Sequence, residues 1–226
     1  MTYAGHVLAH LRKDLKLEWR NRDSLNGMLF FALLVVVVFA LAFDPTAFPS
    51  IARQISGGLL WVAVLFASIT ALNNAWEREL RNDVLAAHRL SPAPASALFV
   101  GKALANFIFV SAVELVLAPV FTVFYNLHPL GETSLLFLIL PLGTWALVSN
   151  GTFFAALSLR ARNRQLLLPL VLFPIAMPAL LAMIQASTDV LTGDFDPSLW
   201  IKVLLSYDIV FTTAGVLLFP AVLEAA

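Results

Sequence analysis

Apolar residues in this chain fall into long unbroken runs, at about 26–43, 55–75, 98–124, 134–159, 166–184 and 201–222. Runs of about 18 residues or more are long enough to cross a hydrocarbon core of about 30 Å as helices. They lack the period-two alternation of a membrane barrel, and an open sheet cannot satisfy its backbone groups in lipid. The breaks carry turn chemistry: Asp44-Pro45 and Pro49-Ser50 close the first run, His128-Pro129-Leu130-Gly131 closes the third, and Gly193–Pro197 precedes the sixth. Arg160–Arg164 is a short charged turn, as antiparallel neighbours require. The pattern therefore predicts an all-α integral membrane protein with six transmembrane helices, in one domain spanning 1–226. The run Leu25–Phe39 with Ala40-Leu41-Ala42 also has the form of a signal peptide, but the mixed-charge segment ahead of it argues for a span.

Two segments have a different pattern. In residues 2–22, Leu8, Leu11, Leu15 and Glu18 share one helical stripe with Ala4 and Val7 beside it, while Arg12, Lys13, Lys16 and Arg20 lie around the other face. This predicts an amphipathic elbow helix in the headgroup plane; a solvated basic anchor explains it equally well. In residues 76–90, Glu77, Arg78, Glu79, Arg81 and Asp83 form a charged start, and Leu80, Val84, Leu85 and Ala87 supply an apolar side at helical spacing. Leu90-Ser91-Pro92-Ala93-Pro94 follows, with Ser91 placed to cap the next helix and Pro92 to occupy its first position. The expectation is a separate cytoplasmic helix and a sharp re-entry into the membrane. It reads either as a solvated connector or as an element that couples the spans to a cytosolic partner.

Composition sharpens this. Hydrophobic residues make up 60% of the 226 and charged residues 12%, against about 25% charged in soluble domains. Formal net charge is zero, which disfavours nucleic-acid binding, so the distribution of charge carries the signal. Twelve of the 14 basic residues fall on one side of the predicted topology, leaving Arg53 and Lys202 opposite. The positive-inside rule makes that side, with both termini, cytoplasmic. The last loop opposite is acidic, through Asp189, Asp194 and Asp196. There is no cysteine, which removes thiolate chemistry from this chain. No phosphate-cradling Gly-x-x-x-x-Gly-Lys-[Ser/Thr] loop occurs either, so a nucleotide that drives this chain sits on another polypeptide.

Candidate chemistry is sparse. Glu114 reads as the one carboxylate deep inside a span, where charge costs at least about 2.5 kcal/mol. It is a candidate intramembrane polar site, or an acid packed between helices. His128, in the outer loop, could ligate haem iron with an axial partner; His6, His10 and His88 fall on the cytoplasmic or interfacial side. Trp61 and Trp145 lie within spans, where either porphyrin contact or helix packing suits them, and Trp200 suits an interfacial anchor. Prolines at 119, 141, 169, 174 and 178 interrupt spans, most densely the fifth. No catalytic residue, bound cofactor or metal site is expected.

The order and spacing of several segments resemble the CcmB family, the membrane permease of the haem-exporter system for cytochrome c maturation. They are Ser56–Ser68, Leu90-Ser91-Pro92-Ala93-Pro94, Gly101–Ala105, Ala118-Pro119, Leu142-Gly143-Thr144, Leu159–Leu167 and Leu172–Pro178. Where that family tends to have an Asp-rich stretch and a glycine, this chain has Arg81-Asn82-Asp83-Val84. The resemblance implies an ABC-2-like permease subunit in the bacterial inner membrane, with ATP on a partner ATPase subunit and haem as candidate substrate. Further partners would be a haem-handling membrane subunit, a periplasmic haem chaperone and the lipid bilayer, and a homodimer is compatible. Glu77, Arg78, Glu79, Arg81, Asp83 and Leu85 would then couple to the ATPase, with Trp61 and His128 as haem-proximal candidates. Other readings are a permease for a lipid or drug, or a non-transporting scaffold. A membrane enzyme lacks convergent polar groups here, and a proton-coupled carrier lacks an evident inverted repeat.

Overall fold

With no water to bond an exposed amide, each apolar run must close its hydrogen bonds within itself. In the computed structural model of the chain this is what happens. The structure describes residues 2–20, 22–43, 45–81, 88, 90–91, 93–160 and 164–225. Among them lie the helices α1 (Tyr3–Arg20), α2 (Arg22–Phe43), α3 (Pro49–Arg81), α4 (Ala95–Phe124), α5 (Leu136–Leu157), α6 (Arg164–Thr192) and α7 (Ser198–Ala225). Short 3₁₀ turns at Thr133–Leu135 and Ser158–Arg160 flank α5. The six helices α2–α7 are each long and apolar enough to cross a membrane, so the chain is a multi-pass, all-α membrane protein.

α3 and α5 form the centre of the bundle, with α2 and α6 against α3 and α4, α6 and α7 around α5. The inward face of α5 is built from small and hydroxylated residues, among them Gly143, Thr144, Ala146, Ser149, Gly151, Thr152, Ala155 and Ala156. Such residues let backbones approach closely, which is how helices associate where lipid offers no hydrophobic drive. Gly143 shows the degree of closeness: a Cβ there would lie 2.2 Å from the Trp61 ring. The internal prolines, including Pro169, Pro174 and Pro178 in α6 and Pro220 in α7, lie within these helices without ending them.

Several boundaries differ from the sequence expectation. No separate helix starts at Trp76, because Trp76–Arg81 continue α3 without a break. At about 1.5 Å per residue the 33-residue α3 is about 50 Å long, well beyond a core of about 30 Å. Its charged end leaves the apolar zone as helix, since charge alone breaks no helix and the segment has no proline or glycine. Asp83 and Leu85 lie outside the described residues, as do Asn82, Val84, Ala86, Ala87, Arg89 and Pro92. Ser91 does not cap the next helix either. α4 begins at Ala95 behind Pro94, which is extended at φ −62°, ψ 131°. Pro94 pushes Ala93 away from the helical region, so a start at Pro92 is blocked. Ser91 Oγ instead accepts from the Ala93 N–H at 3.3 Å.

α6 runs to Thr192, beyond the apolar run, and takes Asp189 out of the loop into its last turns. The stop is Gly193, in the left-handed region at φ +73°, whose N–H donates to the Asp189 carbonyl at 2.8 Å. Gly131 N–H then donates to the Val190 carbonyl at 3.0 Å, tying the loop after α4 to the end of α6.

Candidate functional site

α1 lies on α4 at Gly101, where a Cβ would come within 2.6 Å of the His10 Cβ. That contact sets the next residue of α4, Lys102, beneath α1. Lys102 is 1% exposed, a costly place for an ammonium unless it is paired and hydrogen-bonded. Its Nζ lies 3.2 Å from Asp14 Oδ2 of α1 and 2.8 Å from Glu79 Oε1 of α3. It also approaches the Ala75 carbonyl at 3.4 Å and sits 5.0 Å from the Trp76 ring centroid. Lys13 reaches from α1 to the same Glu79 and stands 3.3 Å from Asp14. A further ion pair, Arg78 with Glu18, joins α3 to α1 one helical turn along. The charges balance, and every pair but Lys13–Asp14 crosses between helices.

This cluster is a junction of three elements far apart in sequence. The elbow supplies Lys13, Asp14 and Glu18, the end of α3 supplies Arg78 and Glu79, and the start of α4 supplies Lys102. Removing one partner of a buried ion pair costs about 3–5 kcal/mol, yet replacing the whole set with apolar residues is often neutral. Its physical effect is therefore to specify one arrangement of three helices rather than to add bulk stability.

Burial opposes the Lys13 charge, but Asp14 beside it and the bond to Glu79 outweigh burial and raise its pKa above the ordinary lysine value. Next to it the His10 and His88 rings meet edge-on, centroids 5.4 Å apart. Burial, then the Lys13 charge, then His88 push His10 down to about 4. Burial and Lys13 lower His88 as well, and its Nε2 is buried without a partner. The pair is thus uncharged at neutral pH, beside a lysine that is not.

The elbow turns Glu18 and the neighbouring Asp14 inward and rests Leu15 against the core. Asp14 and Glu18 are its buried residues, while Leu8 is 42% and Trp19 74% exposed. The inward face pairs with Lys102 and Arg78, with Leu15 packed on the core beside them. Among the expected coupling residues, Glu79 and Arg78 are drawn into this cluster, Glu79 to 3% exposure, and Glu77 is half-buried. Arg81 ends α3. The sequence signal for the cluster lies in Lys102, a cation inside an apolar run, and in Glu18 on the elbow's leucine stripe.

The bundle interior is organised differently. Glu114 accepts a bond from Thr144 Oγ1 at 2.8 Å, and its other oxygen has no partner. Glu114 is not the only carboxylate within a span: Asp208 of α7 is 5% exposed with both oxygens buried and unpartnered, and Asp189 of α6 is buried too. Mean hydropathy of the sixth run hid Asp208; the polar break Ser206-Tyr207-Asp208 was the overlooked sign. Along α5, Asn150 Nδ2 donates to Tyr207 Oη at 3.2 Å, and Tyr207 donates to the Ile175 carbonyl at 2.9 Å. Thr152 accepts from Asn106 Nδ2 at 3.4 Å through its hydroxyl and from Trp76 Nε1 at 3.1 Å through its carbonyl. Trp145 Nε1 donates to Thr212 at 2.9 Å.

The haem-proximal candidates are not brought to one pocket wall. Trp61 is fully buried, with Nε1 donating to Ser187 Oγ at 2.9 Å and its ring pressed on Gly143, so no face is left for a porphyrin. His128 is exposed in the loop after α4, its Nδ1 3.0 Å from the Asn126 carbonyl. Among the described residues no group of three His, Cys, Asp or Glu is placed to hold a metal.

Comparison with known proteins fits this architecture. The sequence pattern of the family described as CcmB protein matches residues 6–226. Heme exporter protein B of Pseudomonas aeruginosa is 30% identical over 171 residues, covering 76% of this chain and 75% of its own length. Proteins of the same name from Rhodobacter capsulatus and Bradyrhizobium diazoefficiens are 32% and 28% identical, over 76% and 82% of this chain and 78% and 82% of theirs.

Proposed function

Because the chain belongs to the CcmB family, we propose that it is a haem-export membrane subunit whose movements are driven by ATP hydrolysis on a separate subunit. The observation that carries this reading is the family match along residues 6–226, across all six spans. The relatives' shared name, heme exporter protein B, supports haem export as the process served. The chain contains no phosphate-cradling loop, so the nucleotide belongs to a partner. The basic face, which bears the elbow and the far end of α3, is the cytoplasmic face by its charge bias and receives that partner.

In this account the ion cluster is the coupling point. A push on the end of α3 or on the 82–94 connection reaches α1 through Glu79 and Arg78, and reaches α4 through Lys102. Because the pairs are buried and specific, they hold one arrangement until the balance of charges is disturbed. The bundle then repacks as a unit in which the haem-loaded chaperone is released on the opposite side.

Purification of the chain with its neighbours in mild detergent tests the reading. An ATPase subunit and a haem-handling membrane subunit should co-purify, and the ATPase should be lost on Glu77→Lys with the spans still inserted. A chain that purifies alone, without ATPase contact, contradicts it.

A further inference from the structure

The elbow α1 has two acids, Asp14 and Glu18, and both are buried in the protein. The side it turns outward carries Arg12, Lys16 and Arg20, all exposed, and no acid. At about 100° per residue these three cations fall within an arc of about 80°. Alongside them run Leu8 and Trp19, 42% and 74% exposed. α2, whose apolar span begins at Leu25, starts at Arg22, directly after α1. So α1 is held at the level where that span meets its surroundings.

Fixing topology needs basic residues near a span, but it does not need the acids removed from the outer surface of the same helix. Nor does it need an exposed tryptophan and leucine beside the cations. A cation row flanked by an apolar edge on a helix at the membrane surface is the surface an anionic bilayer recognises. Nucleic acid or an acidic protein would use the row and leave Leu8 and Trp19 without a role.

We propose that the outward face of α1 binds the headgroups of anionic phospholipids, with Arg12, Lys16 and Arg20 on phosphate and Leu8 and Trp19 at the acyl boundary. The contact has a consequence inside the protein. The same helix carries Asp14 and Glu18 on its other side, so the docked elbow is the position in which both faces are paired at once, and anionic lipid favours it. A membrane poor in anionic lipid leaves the elbow held by its inner pairs alone.

The test uses the full chain by itself in nanodiscs, of phosphatidylcholine alone or of phosphatidylcholine and phosphatidylglycerol at about three to one. Hydrogen exchange of the α1 amides is measured in both. Each basic residue near an anionic surface is worth about fivefold in binding, so the three together favour the docked elbow on the order of a hundredfold. The expected result is slower α1 exchange in the anionic discs, with the difference abolished by high salt and by combined R12Q, K16Q and R20Q. These substitutions leave Asp14 and Glu18 in place, and in neutral discs the variant should exchange like the wild type. If the variant does not fold, the salt series on the wild type decides alone. Equal α1 protection in neutral and anionic discs overturns the proposal. So does a lipid difference that survives both high salt and the triple substitution. With no partner present, failure here is independent of the ATPase-coupling reading.

Discussion

The junction at the basic face and the seam along α5 solve the same problem, polar groups away from water, in opposite ways. At the junction full charges from three helices neutralise one another around Lys102. In the seam, amides, hydroxyls and indoles bond across helices one at a time, and Glu114 and Asp208 have oxygens left without partners. A charge cluster fails as a whole when one member goes, whereas a row of neutral bonds fails piecemeal. The junction suits a point that must be in one state or another; the seam suits helices that must keep register while they move.

The largest expected break in that contrast is Lys102→Met. It takes the buried cation from between Asp14 and Glu79, leaving them only the part-exposed Lys13, and should cost about 3 kcal/mol, read as a lowered Tm in detergent. Adding Asp14→Asn and Glu79→Gln should recover most of the loss; no loss in the single variant would show the cluster to be incidental. Gly101→Ala comes next. Its Cβ would meet His10 at 2.6 Å, and overpacking of this kind costs about 1–3 kcal/mol. Hydrogen exchange should report an α1 displaced from α4 while exchange within α5 is unchanged.

The seam should respond less. Asn150→Leu removes the bond to Tyr207 and should cost about 1 kcal/mol, in line with interhelical bonds in membranes. Thermal unfolding of this variant, Tyr207→Phe and the pair should give a cycle in which the double costs little more than either single. A loss as large as that of Lys102→Met would erase the distinction between the two regions.

The histidine pair sharpens the contrast most finely. His10 titrates at about 4 when folded and at 6.5 in an ordinary setting, so unfolding takes up a proton between those values. Stability is therefore full above about pH 6.5 and falls as pH drops toward 4. The full shift is worth about 2 kcal/mol between pH 7.5 and 5; solvent screening at the half-buried His10 brings this to about 1 kcal/mol, or about 2–4 °C in Tm, and His10→Gln should flatten the slope. A pH response unchanged in that variant would remove His10 from the junction.

The six spans were legible in the sequence because run length against bilayer thickness is a local quantity, read segment by segment. The reach of α3 past Trp76 was not, since hydropathy locates the edge of the lipid and not the end of a helix. The elbow's inner partners were hidden for a related reason: Lys102 and Arg78, which pair with Asp14 and Glu18, are distant in the chain. Lys102 stood out as a cation in an apolar run, yet its two carboxylates come from separate helices and no spacing rule connects them. Asp208 was lost in the average of a run that stays apolar despite it. What one segment decides by itself was readable; what two segments decide together was not.

The claim that the junction transmits motion can be measured directly, because the chain has no cysteine and accepts specific labels. Spin labels at Ala9→Cys on α1 and Leu115→Cys on α4, both exposed, report the distance between elbow and bundle in the complex with its ATPase. The account predicts a distance that shifts between the nucleotide-free and ATP-bound complex, and a shift abolished by Lys102→Met. One unchanged distance in both nucleotide states would contradict it.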